Sequence, residues 1–117
     1  MPHILLECSE NLDFQPNCGE LFEKIHCLLA QELPTNLSSC KSRCQTHQAF
    51  YLGDGSKTNA FVHVTIKVLS GRTDDKKKSI GQEILAILQA YFQQYKSTLN
   101  LQLSVEIVDL DKNYFKG

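Results

Sequence analysis

Apolar and polar residues alternate along four stretches of this chain, and each stretch predicts a β-strand. The clearest alternation runs from Ala60 to Leu69, because a period of two places the apolar side chains on one face of a sheet. His3 to Cys8 favours a mostly buried strand, Ser38 to Phe50 alternates loosely, and Leu101 to Ile107 alternates again before a polar tail. The pattern therefore predicts four strands.

Two segments between these strands have their apolar residues at helical spacing instead. The first extends from Leu21 to Leu29 and is ended by Pro34, because the residue before a proline disfavours the α conformation. The second follows Thr73, a suitable N-cap, and carries two aspartates in its first turn against the helix dipole. Its apolar face is predicted to run from Ile80 to Tyr95.

The order strand, helix, strand thus occurs twice, in residues 1–52 and 58–117, on either side of a glycine-rich loop. We predict an α+β fold, a two-layer sandwich in which four main strands form one sheet and both helices cover one face. The same order also describes the ferredoxin-like fold, which serves RNA-binding, metal-binding and regulatory proteins. The chain lacks the Lys/Arg-Gly-aromatic run of RNA-binding domains and the CxxC loop of metal carriers.

Composition narrows the picture further. A length of 117 residues fits one domain, 1–117, and the fractions of hydrophobic (42%) and charged (21%) residues are typical of soluble globular proteins. A net charge of −1 gives no electrostatic reason to expect nucleic acid or an anionic membrane as partner. No targeting or membrane-spanning pattern is evident and the five cysteines are an odd set, so we predict a cytoplasmic protein with reduced thiols.

Pro2 is the first candidate for chemistry. Its ring nitrogen is an amide while Met1 is attached and becomes a secondary amine if Met1 is removed. A free α-amino group titrates at about pH 8, and burial or nearby cations lower its pKa because each disfavours the protonated form. Such an amine would be a base near neutral pH. The alternative is that Pro2 only begins a strand, where its missing N–H costs nothing.

Three cations are candidates for binding an acidic substrate beside such a base. Lys41 and Arg43 are two residues apart on a predicted strand and therefore share one face. Arg72 follows a glycine at a turn from strand to helix, where backbone N–H groups also favour anions. The alternative for each is a solvated surface charge, which is the interpretation we give to the consecutive lysines 76–78.

The cysteines and histidines suggest two further sites, both of them weaker. Cys40, Cys44 and His47 are close in sequence, but their spacing matches no zinc pattern. Cys8 and His63 would form a nucleophile and base only if the fold brought them together. We therefore predict no metal site and no cysteine catalysis.

Taken together, these residues give the chain a resemblance to a known family. The segments that carry it are Met1-Pro2-His3-Ile4, Glu7-Cys8-Ser9 with Asn11, Lys41-Ser42-Arg43, and Ala60 to Lys67 leading to Gly71-Arg72. The chain resembles the 5-carboxymethyl-2-hydroxymuconate Δ-isomerases of the tautomerase superfamily, which share the fold of macrophage migration inhibitory factor. The likeness covers nearly the whole length.

The resemblance implies a cofactor-independent homotrimer that isomerises a small unsaturated 2-hydroxy or 2-oxo dicarboxylic acid, such as 5-carboxymethyl-2-hydroxymuconate, during bacterial degradation of aromatic compounds. It makes Pro2 the general base and acid, and it makes Arg72 a ligand of a substrate carboxylate or of the 2-oxo group. Lys41 stands where the family has an arginine and would keep the charge without the bidentate fork. Arg43 corresponds to a second, substrate-binding arginine.

Two other functions are compatible with this resemblance. One is a non-catalytic trimeric binding or regulatory protein on the same scaffold. The other is a different tautomerase-type activity, such as phenylpyruvate tautomerisation or hydrolytic dehalogenation, which would depend on details of the pocket. Catalysis by proline in any of them requires that Met1 be removed.

Overall fold

The computed structural model describes residues 1–12 and 18–117. Strands β1 (His3–Ser9), β2 (Lys41–His47), β3 (Asn59–Val68) and β4 (Asn100–Asp109) form one sheet in the order β2-β1-β3-β4. Helix α1 (Cys18–Glu32) connects β1 to β2, and helix α2 (Asp74–Tyr91) connects β3 to β4. Short 3-10 helices span Leu37–Ser39 and Gln93–Ser97. The predicted α+β two-layer sandwich is confirmed.

The pairing of the strands explains why each half of the chain contains a helix. β1 pairs in parallel with β2, and β3 pairs in parallel with β4, which requires a crossover connection that a helix supplies. β1 and β3 pair antiparallel at the centre of the sheet. Because each parallel pair is adjacent, no strand lies between its members, and the split β-α-β unit of a ferredoxin-like fold is excluded.

The core lies between the sheet and the helices. Alternate residues of β1 and β3 are buried, as are residues at helical spacing on α1 and α2. Burial of these apolar side chains is the main force that holds the two layers together. The largest of them are Ile4, Leu6, Leu21, Ile25, Leu29, Ile66, Ile80, Ile84, Leu88 and Phe92. We call the other face of the sheet the open face. It carries mostly polar side chains and few apolar ones.

Two boundaries differ from the prediction. The second strand is shorter than 38–50 because a 3-10 turn precedes it, and because β1, its pairing partner, ends opposite His47. Helix α2 ends at Tyr91, so Tyr95 lies in the following 3-10 helix, where its N–H donates to the carbonyl of Phe92 at 3.0 Å. Thr73 does cap α2: its hydroxyl accepts a hydrogen bond from the N–H of Lys76 at 3.1 Å.

One of the consecutive lysines 76–78 is not the solvated surface charge that we predicted. Lys77 is half-buried, and its ammonium lies 3.6 Å from Asp74 and 3.3 Å from Asp109 at the end of β4. It therefore connects α2 to the edge strand, while Lys76 and Lys78 are exposed. None of the helices among the described residues is both long enough and apolar enough to span a membrane.

Candidate active site

The start of β1 places residue 2 in a fixed, buried position. Pro2 is buried, and its carbonyl accepts a hydrogen bond from the N–H of Lys41 at 3.1 Å. This bond continues the parallel ladder in which His3 pairs with Lys41. Proline needs no ladder partner for its own nitrogen. The backbone of β2 therefore fixes the N-terminal residues at one end of the sheet.

Arg72 approaches this end of the sheet from the turn after β3. The turn depends on Gly71, whose φ of 105° lies in a region that favours glycine. The Arg72 guanidinium donates from Nη2 to the carbonyl of Leu33, just beyond α1, at 3.3 Å. Its Nε is buried and has no hydrogen-bond partner among residues 1–12 and 18–117. A buried N–H of this kind is a donor available to an anionic ligand.

The charges around the N-terminus favour a neutral amine. Burial is the largest factor that lowers the pKa of the Met1 ammonium, and the positive charges of Lys116 and Arg72 follow. Lys41 lowers the same pKa by less, and Cys40 acts in the opposite direction. Each cation disfavours a second positive charge nearby. The structure thus places Arg72 and Lys41, two of the residues singled out from the sequence, close enough to the N-terminus to influence its titration.

Arg43 lies on the open face, in contact with the first histidine. Its Nη1 lies 3.2 Å from Nδ1 of His3. Pro2 and Cys40 are buried on the helix side, whereas Lys41 and Arg43 are exposed on the open face, as strand alternation requires. Lys41 also donates from Nζ to the carbonyl of Ser39 at 3.3 Å. Within one subunit, the sheet therefore lies between Pro2 and the side chains of both Lys41 and Arg43, but Lys41 is at the end of β2 that is hydrogen-bonded to Pro2.

The C-terminal tail contributes residues that the sequence analysis missed. Tyr114 packs edge-on against the His3 ring, with centroids 5.6 Å apart, and its hydroxyl lies 2.8 Å from Nε2 of His3. Lys116 lies two residues further on, and after burial its charge is the largest influence that lowers the pKa of the Met1 amine. The residue pattern alone indicates only a polar tail here. The sequence does offer one indication of a contact, because the segment contains two aromatic residues, Tyr114 and Phe115, and aromatic side chains tend to pack against other residues.

The weaker alternatives do not form sites. Cys8 is buried on the helix side, where desolvation raises the pKa of its thiol to about 11. His63 lies on the open face and contacts Ser104 at 2.7 Å and Glu106 at 3.4 Å, so Cys8 and His63 are on opposite sides of the sheet.

In the described part of the chain, no group of three or more His, Cys, Asp or Glu residues is arranged to hold a metal ion. His47 instead contacts Glu7 at 2.9 Å across β1 and β2. Its partner is thus a carboxylate on the neighbouring strand. The five cysteines form no disulfide with one another in the structure.

Comparison with known proteins shows which family this chain is similar to. The family model for 5-carboxymethyl-2-hydroxymuconate isomerase matches residues 2–116. The chain is 29% identical over 110 residues to the 5-carboxymethyl-2-hydroxymuconate Delta-isomerase of Escherichia coli, a match that covers 94% of this chain and 87% of that protein. The residues matched by the family model include Pro2, Lys41, Arg43 and Arg72.

Solved structures agree. A 5-carboxymethyl-2-hydroxymuconate isomerase from Deinococcus radiodurans R1 superposes with a TM-score of 0.88 at 28% identity, covering 99% of this chain and 88% of that one. A macrophage migration inhibitory factor-like protein from Entamoeba histolytica shares the fold at 14% identity, with a TM-score of 0.67 and coverage of 99% and 94%. A fused 4-OT described as a symmetric trimer shares it at 15% identity, with a TM-score of 0.74 and coverage of 98% and 90%.

Three observations thus point to the same family. Pro2 is buried, Arg72 near it has an unpartnered donor, and the family model matches nearly all residues. The chain belongs to the 5-carboxymethyl-2-hydroxymuconate isomerase family and is an isomerase with a tautomerase fold.

Proposed function

We propose that this isomerase shifts a proton within a small unsaturated 2-hydroxy or 2-oxo acid that carries two or more carboxylates, with Pro2 as the general acid and base after removal of Met1. The observation that supports this most is the position of the N-terminus: Pro2 is buried at the end of the sheet, and burial followed by the charges of Lys116 and Arg72 lowers the pKa of the Met1 amine before it. Once Met1 is gone, the amine belongs to Pro2 and lies one residue deeper. Burial and charge would then act on it in the same direction.

The proton shift needs no redox step. The secondary amine of Pro2 takes the proton of the 2-hydroxyl group, the electron pair moves through the conjugated system, and the resulting ammonium returns the proton to a carbon at the far end. The 2-hydroxyl becomes a 2-oxo group, and one carbon–hydrogen bond forms for the oxygen–hydrogen bond that breaks. The amine is regenerated, so a base whose pKa is near the working pH serves both halves of the reaction.

Arg72 and Lys41 are assigned to the negative charge of the substrate. The unpartnered Nε of Arg72 and the rest of its guanidinium offer donors to a carboxylate or to the developing 2-oxo group. Lys41 supplies a positive charge on a long side chain at the same end of the sheet. Arg43, by contrast, contacts His3 on the open face, so a substrate-binding role for it would require a site formed with a neighbouring subunit.

The substrate is tested by following ketonisation in the ultraviolet. Protein whose intact mass shows that Met1 is absent is expected to accelerate ketonisation of 5-carboxymethyl-2-hydroxymuconate, with a higher kcat/KM than for the enol of phenylpyruvate. The latter has a single carboxylate and represents the alternative tautomerase activity. Absence of acceleration with both compounds would favour the non-catalytic alternative, and a preference for phenylpyruvate would show that the substrate class is wrong.

We also propose that the protein is a homotrimer that acts in the catabolism of aromatic compounds. Support comes from the open face, which neither α1 nor α2 covers and where polar side chains form contacts, among them His3, Glu7, Arg43, His47 and His63. The trimeric assembly of a protein with the same fold also supports it. Sedimentation equilibrium should give about three times the chain mass of 13.3 kDa. A monomer at micromolar concentration would contradict the proposal.

A further inference from the structure

The C-terminal segment, residues 110–117, follows β4 at the end of the sheet where β1 begins. The N–H of Leu110 donates to the carbonyl of Val68 at 2.6 Å, which continues the pairing of β4 with β3. A turn then forms at Asp111, whose side-chain oxygen accepts from the N–H of Asn113 at 2.8 Å and whose carbonyl accepts from the N–H of Tyr114 at 3.0 Å. The turn directs the last residues toward β1.

Tyr114 anchors the segment to His3. Arg43 is always a donor, so the Nδ1 atom of His3 that it contacts at 3.2 Å must be the acceptor. Nε2 of His3 therefore carries the proton and donates to the Tyr114 hydroxyl at 2.8 Å. Burial, followed by the charge of Arg43, lowers the pKa of His3 and favours this neutral form. A defined tautomer thus fixes Tyr114 beside the residue that follows Pro2.

This anchor determines where Lys116 lies. Two residues of chain reach at most about 7 Å, so Lys116 stays near the His3 end of β1 while Tyr114 is docked. Its side chain is exposed. Its charge acts on the Met1 amine, so its ammonium lies near the N-terminal end of the sheet, and it forms no ion pair within the described part of the chain.

We infer that Lys116 is a specificity-determining residue that binds a substrate carboxylate remote from the reacting enol, and that the Tyr114–His3 contact positions it. The inference rests on the proposed function, and it adds a residue at the opposite end of the chain from Pro2. Arg72 and Lys116 then supply separate cations for two carboxylates. A monocarboxylate would leave the Lys116 ammonium without a partner.

Binding of two stable ligands tests this without turnover. The probes are 2-oxoadipate, a six-carbon 2-oxo dicarboxylate, and 2-oxohexanoate, its monocarboxylate counterpart, titrated calorimetrically into the Met1-free protein. Wild type is expected to bind 2-oxoadipate more tightly. Lys116→Gln should weaken 2-oxoadipate by about tenfold, the size expected for loss of a charge-assisted hydrogen bond, and should leave 2-oxohexanoate within about twofold.

Three further variants separate charge from structure. Lys112→Gln removes a lysine from the same segment and should change neither affinity, whereas Lys116→Arg should restore most of the binding of 2-oxoadipate. Tyr114→Phe keeps the ring contact with His3 but loses the hydroxyl, and should weaken 2-oxoadipate by about threefold with little change for 2-oxohexanoate. In turnover, Lys116→Gln should raise KM for the dicarboxylate and leave kcat nearly unchanged.

The inference is overturned if Lys116→Gln binds 2-oxoadipate as tightly as wild type does, if it weakens both ligands equally, or if wild type does not distinguish them. Failure of the proposed function looks different. In that case wild type would not accelerate ketonisation, but the effect of Lys116 on the affinity for 2-oxoadipate would still be measured and would still decide the role of this residue.

Discussion

Replacing Pro2 by alanine is expected to lower kcat/KM for ketonisation by about 10² to 10⁴, the usual contribution of a general acid–base group. The loss should be incomplete, because alanine at the same place still ends in an α-amine, although a primary one that lacks the ring. The effect should fall mainly on kcat. KM should change less, since the cations assigned to the carboxylates, Arg72 and Lys41, remain in place.

The control for this variant is structural. Pro2 accepts a hydrogen bond from Lys41 through its carbonyl, and alanine keeps that group. The Pro2→Ala protein should therefore retain the circular dichroism spectrum and the assembly mass of wild type. Intact mass must again show that Met1 is absent. Equal kcat/KM for the two proteins would mean that the residue only begins the strand.

Replacing Arg72 by alanine is expected to lower kcat/KM by about 10² to 10³, which is typical when one donor to a developing oxyanion is removed. Part of the loss should appear in KM, because the same guanidinium is assigned to a carboxylate. The cost in folding stability should be small, about 1 kcal/mol, since one hydrogen bond to the carbonyl of Leu33 is lost. Lys78→Ala removes one positive charge from an exposed position of α2 and is the matched control.

Arg72→Ala should also shift the pH dependence of the reaction. After burial and Lys116, Arg72 is among the influences that lower the pKa of the Met1 amine, and we expect the same direction for the Pro2 amine, so removal of Arg72 should raise its pKa. The amine acts first as a base in its neutral form, and activity is lost as the pH falls through its pKa. The acidic limb of kcat/KM should therefore move to higher pH in Arg72→Ala and stay in place in Lys78→Ala. A limb that does not move would show that Arg72 lies too far from the amine to influence it.

The elements of the fold could be predicted from the sequence because their signals are local. Alternation from Ala60 to Leu69 reports a strand that is buried on one face, and the strand observed, Asn59–Val68, differs by one residue at each end. The Thr73 cap depends on a side chain and an N–H three residues apart, which is also local. The length of β2, by contrast, is set by its pairing with β1, and nothing in its own residues reveals where that partner ends.

The candidate site could be predicted only in part, for the same reason. Arg72 was identified from its place after a glycine at a strand end. That Lys41 lies near the N-terminus depends on its pairing with His3, which loosely alternating residues do not specify. Tyr114 and His3 are 111 positions apart, and their contact leaves no periodic pattern in a tail of eight residues. The residues missed were those whose position depends on how the two ends of the chain meet.

The most direct test of the account compares the same chain with and without Met1. One sample begins at Pro2, and a matched sample retains Met1 because it is prepared without methionine aminopeptidase, with both confirmed by intact mass. If the secondary amine of Pro2 is the base, the sample that begins at Pro2 should have a kcat/KM for ketonisation at least about 10² higher, because an amide nitrogen cannot accept the proton. Equal values of kcat/KM for the two samples would contradict the account.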